Sequence, residues 1–189
     1  METAQSNNQN DDLGFENDLK YPKLKSKGTL GFCDLMLNEV KFMYDVKKTG
    51  LKSFPKIIKN ACSFELIEAI TKHFEVSKKQ LIRLEDVFTI LEENPVPENC
   101  NSMKSLVRKV GDVTENTKFG TIRDAGIILA FHKIVLFEIS AYTILSAFAQ
   151  IIDEQQIIDL IEESLNESKV TELRLIKILS YLQLIPNEN

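Results

Sequence analysis

The sequence predicts an all-α domain: a four-helix bundle with one short crossover helix between its second and third long helices. Two observations carry this. Apolar residues recur three and four positions apart over four segments of roughly 30 residues, and no stretch alternates with a period of two. The connections are also unequal. The first and last are a few residues long, whereas residues 94–120 separate the middle pair, enough to cross a bundle.

Each element has its own justification. Residues 1–28 are rich in Asn, Gln, Asp and Ser or Lys with few apolar positions and no period, so they cannot offset the entropy of ordering and read as a disordered tail before a bundle spanning 29–185. Thr29 is a fitting N-cap for a first helix to about Ala61, whose core positions run Leu37, Val40, Tyr44, Lys47, Leu51, Phe54 and Ile58. Gly50 and Pro55 weaken it. The stripe nevertheless stays in phase through Ile58, which predicts a kink at Pro55 and not a stop. The second helix opens at Ser63, with Glu65 and Glu68 near its first turn, and ends by about Glu93 before Asn94-Pro95-Val96-Pro97.

Ser102 to about Asn116, with Met103, Leu106, Val107, Val110 and Val113 on one side, reads as the crossover helix. The third long helix runs from Thr121 to about Gln150 on a stripe of Ile128, Phe131, Val135, Glu138, Tyr142 and Leu145. The fourth runs from Glu154 to about Leu184 on Ile161, Leu165, Ser168, Glu172, Leu175, Leu179 and Leu182. The connection near Ile151 to Asp153 is too short for anything but antiparallel neighbours. Two hairpins joined by a long crossover is the connectivity of ferritin-like bundles.

Composition narrows the function. At 189 residues and 43% hydrophobic, the chain fits one domain with a sizeable core. A net charge of -5, from 23 basic and 28 acidic residues read as spread along the chain, predicts no nucleic-acid footprint and no polybasic membrane patch. Cys33, Cys62 and Cys100 lack metal-ligand spacing and suit a reducing compartment. No signal peptide is evident and no unbroken run of about 18 apolar residues occurs, so a cytoplasmic location is expected. Phosphate-binding Gly loops and HExxH are absent, and neither Cys62 nor Cys100 has an identifiable base partner.

The informative feature is that polar residues interrupt every stripe near its middle. They are Lys47 on the first, His73 and Gln80 on the second, Glu138 on the third and Glu172 on the fourth. Together they predict a buried polar cluster, either an internal site or the remnant of one, because unpaired buried charge is too costly to be incidental.

Spaced residues extend the comparison: Leu51-Lys52-Ser53-Phe54-Pro55; Glu65-Leu66, Glu68-Ala69, His73-Phe74-Glu75 and Gln80; Arg83-Leu84-Glu85 with Val87-Phe88; Cys100, Met103 and Leu106; Arg123-Asp124-Ala125, Glu138-Ile139 and Tyr142; and Leu165, Glu167, Lys169 and Leu175. In order and spacing this set resembles the YciE/YciF-like family of ferritin-like proteins over about Leu30 to Leu179. The resemblance implies a rubrerythrin-type di-iron bundle, in which carboxylates from four helices bridge two metal ions. It also implies a link to stress physiology. Against that pattern the first-helix glutamate falls on Lys47, the second-helix glutamate on Val76, the third-helix pair on Val135 and Glu138, and the fourth-helix glutamate on Ser168, with Glu172 four residues later.

Four of six carboxylates are therefore replaced. The expectation is a degenerate centre with no cofactor, no catalysis and an interaction or structural role, in which the Lys47 ammonium balances the remaining carboxylates. The alternative is an iron or other divalent-metal protein using Glu138, Glu172, Glu75 and His73. A third reading has Lys47 holding a small acidic ligand in the vacated centre. His132 is placed at the edge of its stripe, and Glu163 and Glu167 on a solvated flank. A homodimer is expected, without an interface named.

Overall fold

A computed structural model of the chain describes residues 31–96 and 101–182. The expected N-terminal tail, Thr29, Pro97, Cys100 and residues 183 and 184, expected to end the fourth long helix, lie outside the described residues. Five helices make up the rest: α1 Phe32–Asn60, α2 Phe64–Ile90, α3 Asn101–Asn116, α4 Thr121–Ile152 and α5 Gln155–Leu182. Among the described residues there is no strand.

Contact pairs fix the topology. Phe42 meets Phe137 and Phe54 meets Phe131, so α1 and α4 are antiparallel. Tyr44 donates to Glu85, while Phe54 meets His73, which makes α1 and α2 antiparallel too. The same reasoning from His73 with Thr171 and Gln80 with Ser164 sets α2 against α5. α4 and α5 are antiparallel by His132 with Glu172 and Gln150 with Glu162. The bundle is thus a square in the order α1, α2, α5, α4, with α2 parallel to α4 across its diagonal. That is the arrangement the long crossover requires. α3 packs outside the square on α4 and α1.

Local chemistry explains the ends. α1 starts two residues later than the Thr29 cap predicts, where the Gly31 N–H donates to Asp34 Oδ2 at 2.8 Å. It continues through Pro55 without a break. α2 ends three residues earlier than expected, at Ile90, because Glu92 adopts a left-handed backbone with φ of 56°. Two glycines admit α3. A Cβ on Gly126 would lie 2.5 Å from a Val113 methyl, and one on Gly50 would meet Phe54 and Met103 at 2.9 and 3.2 Å.

The start of α2 is held from a distance. Ser63 makes no side-chain cap; instead the buried carboxylate of Asp124, in the first turn of α4, accepts from the N–H groups of Cys62 and Ser63, both at 2.7 Å. Bonds from neutral donors to a charged acceptor are the stronger kind. Asp124→Ala is expected to cost on the order of 2 kcal/mol of unfolding free energy, with hydrogen exchange rising first at residues 61–66; urea unfolding with exchange mass spectrometry checks both.

Candidate functional site

The phases of the four long helices bring three charged or ionisable residues to one point inside the bundle. Lys47 on α1, His73 on α2 and Glu138 on α4 are each at most 1% exposed. Lys47 Nζ lies 2.8 Å from Glu138 Oε2, and His73 Nε2 lies 3.3 Å from the same oxygen. α5 completes the square with Thr171, whose Oγ1 is 3.2 Å from His73 Nδ1. The Lys47 ammonium also sits 5.6 Å from the centre of the Tyr142 ring.

Hydrogen bonding constrains the proton on His73. Thr171 Oγ1 can donate once, either to the Glu167 carbonyl at 3.1 Å or to His73 Nδ1. In the second case the neutral ring carries its proton on Nε2. In the first, Nδ1 donates to Thr171 Oγ1.

Electrostatics follows the geometry. Burial by itself would raise the Glu138 carboxyl, but the adjacent Lys47 ammonium, together with His73, outweighs it and holds the group down at about 2. Burial is the larger effect at Lys47 and pulls it below the usual lysine range, with Glu138 opposing. The pair is therefore strongly coupled and not fully compensated. The Lys47–Glu138 and His73–Glu138 contacts are ion-pair distances without good hydrogen-bond geometry: Lys47 Nζ, His73 Nε2, both Glu138 oxygens and the Tyr142 hydroxyl have no hydrogen-bond partner among the described residues. Burial and the Glu138 charge push Tyr142 well up, so it stays a phenol.

Two turns further along α2, a second polar layer locks α2 to α5. Gln80 Nε2 donates to the Ser164 carbonyl at 3.1 Å and to Glu167 Oε2 at 3.2 Å. Arg83 takes Glu167 with both guanidinium nitrogens and also pairs with Glu163. This clasp was not anticipated: Glu163 and Glu167, read as a solvated flank, are its anionic half, and only Glu163 is exposed.

Glu172 of the predicted cluster, and Glu75 of the metal alternative, are elsewhere. Glu172 is not buried. It stands at the α4–α5 edge with 31% of its side chain exposed, 3.5 Å from His132, while Ser168 and Thr171 occupy the buried positions. Glu75 points outward at 57% exposure and pairs with Lys78. Gln80 is buried, but in the second layer. Val135 fills core and Val76 is half-buried.

The residues present do not fit a di-iron centre. Of Glu138, Glu172, Glu75 and His73 only Glu138 and His73 meet, and among the described residues no three of His, Cys, Asp and Glu come together as a metal-holding group. Lys47 is turned onto Glu138 and not into an open cavity. Two surface grooves lie apart from this centre, about 570 Å³ between α2 and α5 beside Val76 and Thr171, and about 330 Å³ between α1 and α3.

Comparison with known proteins places this arrangement. Residues 32–185 match the model of a family described as a domain of unknown function, DUF892. Protein YciF of Escherichia coli K12 is 24% identical over 143 residues, covering 75% of this chain and 86% of that protein. The crystal structure of the same stress protein matches with a TM-score of 0.79 at 22% identity, over 82% of this chain and 99% of that one. YcfI from Rhodopseudomonas palustris matches with a TM-score of 0.75 at 28% identity, over 80% and 96%. The family model spans all five helices and the solved folds superpose on them, so the chain belongs to the DUF892 family, as a YciE/YciF-like member.

Proposed function

We propose that this is a divergent, ferritin-like member whose di-iron centre has become a metal-free internal ion pair, serving a non-catalytic interaction or structural role in the cytoplasm under stress. One observation carries the reading: Lys47 Nζ sits 2.8 Å from the only buried carboxylate that the described residues place at the bundle centre, in a position where a cation is needed. A second cation there would be repelled, and the lost donors at Lys47, Val76, Val135 and Ser168 leave too few oxygens for iron. The names of the relatives, a stress protein and a candidate structural protein, support the physiological half. Elemental analysis of protein purified without chelators is expected to find iron, manganese and zinc far below stoichiometric; near-stoichiometric metal retained through dialysis overturns the reading.

The homodimer has a specific surface in its favour. α4 is the one helix among the described residues long and apolar enough to cross a membrane, yet 44% of its most apolar window is buried in the bundle. Its outward side shows Ile122, Leu129, Leu136, Ile144 and Ile151. That stripe is nearly symmetric about residues 136–137: Ile122 mirrors Ile151 and Leu129 mirrors Ile144. A two-fold axis through Leu136 would pair α4 antiparallel with its copy. Sedimentation equilibrium is expected to give a dimer that Leu136→Asp turns into a folded monomer; a wild-type monomer at micromolar concentration removes this interface.

A further inference from the structure

The basic residues are less evenly spread than the net charge suggests. From Lys47 to Cys62 the chain has Lys47, Lys48, Lys52, Lys56 and Lys59 and no acidic residue. Apart from buried Lys47, these lysines sit four, four and three apart, on one stripe of α1. Like charges at that spacing destabilise a helix. Across the α1–α3 groove α3 adds Arg108, and Lys109 stands exposed beside it. Lys52, Lys56, Lys59 and Arg108 make no salt bridge with any described residue. The groove itself, of about 330 Å³, has Lys52, Lys56 and Arg108 on its rim, with Ile57, Val107 and Val110 beneath. Asp112 and Glu115 line it too. An occupant of this groove should be acidic with an apolar anchor.

The chain carries such a segment. Residues 1–19 contain Glu2, Asp11, Asp12, Glu16 and Asp18 and no Lys, Arg or His, and Asp11-Asp12-Leu13-Gly14-Phe15-Glu16-Asn17-Asp18-Leu19 sets Phe15 between acidic pairs. Reach is sufficient. From Phe32 to Lys52 along α1 is about 30 Å, whereas the 13 steps from Asp18 to Gly31 span up to about 44 Å when extended.

We propose that residues 11–19 dock in cis on the α1–α3 groove, with Phe15 over Ile57 and Val107 and the flanking carboxylates on Lys52, Lys56 and Arg108. The acidic segment then answers the row of unpaired lysines, and its release would expose a basic face to other acidic partners.

Zero-length carbodiimide cross-linking of the full chain tests this, since it joins a carboxylate to a lysine amine only in direct contact. Cross-linked peptides are expected to join residues 11–19 to Lys52 and Lys56, with yield falling at least about threefold in 0.5 M salt and about tenfold in Phe15→Ala. An equal mixture of ¹⁴N and ¹⁵N protein should give no mixed-mass product. Tail links that are absent, spread over Lys72, Lys79 and Lys133 as readily, or mixed in mass would each overturn docking in cis; the last would show the segment reaching a second copy.

Discussion

Glu138→Ala is expected to lose about 3–5 kcal/mol of stability at pH 7, the cost of leaving a buried charge without its partner. The geometry gives the reason. Lys47 Nζ has Glu138 Oε2 at 2.8 Å and the face of Tyr142 beyond it, with no water-exposed route for the ammonium because the side chain is 0% exposed. The loss should also depend on pH in a particular direction. Burial already pulls Lys47 below the ordinary lysine range and Glu138 is the main opposing influence, so in the variant Lys47 sheds its proton more easily. The unfolded chain then binds more protons than the folded one, and stability of the variant rises with pH. Urea unfolding at pH 6 and pH 9 checks both: the deficit against wild type should shrink at the higher pH.

Acid should undo the same pair in the wild type. Glu138 is lowered from 4.5 to about 2 in the folded protein, so its contribution is fully present above about pH 4.5 and is lost as pH falls toward 2. At 1.36 kcal/mol per unit the loss is on the order of 3 kcal/mol. Other carboxylates add a background slope, including Glu68, which its neighbour Lys72 lowers. Glu138→Gln removes only the central group, so the difference between wild type and that variant isolates it. The urea midpoints should converge between pH 4.5 and pH 2; a constant gap across that range would mean that Glu138 is not held ionised by Lys47.

Much of this was legible in the sequence because the bundle repeats a simple spacing. Spacing of three and four found all five helices and put Val40, Lys47 and Phe54 on the buried side of α1, where the structure has them. The same rule misplaced Glu172. Between Ser168 and Leu175, both buried as the stripe requires, Thr171 and Glu172 satisfy a spacing of three and four equally well, and the structure turns Thr171 inward. Glu75, a ligand in the metal alternative, faces outward because His73 and Ser77 take the inward positions of that turn. Asp124 could not be assigned its role from local pattern. An acidic residue in a first turn reads as a charge on the helix dipole, whereas its bonds go to backbone about 60 residues away. The Arg83 clasp is hidden in the same way, since its partners lie on α5, far along the chain.

On the proposed reading, loss of donors and gain of Lys47 belong together: removing bridging carboxylates without a new cation would strand Glu138 in the core. The observed arrangement that supports it is the 2.8 Å approach of Lys47 to Glu138, with His73 Nε2 3.3 Å from the same oxygen and Ser168 and Thr171 buried on α5.

The most direct test of this exchange is a double-mutant cycle in urea on Lys47→Met, Glu138→Leu and the two combined. If Lys47 is the counter-charge, each single variant is strongly destabilised, the pair returns close to wild type as hydrophobic replacement of a buried ion pair commonly does, and the coupling exceeds about 2 kcal/mol. Additive losses, with the double variant the least stable of the set, would contradict it.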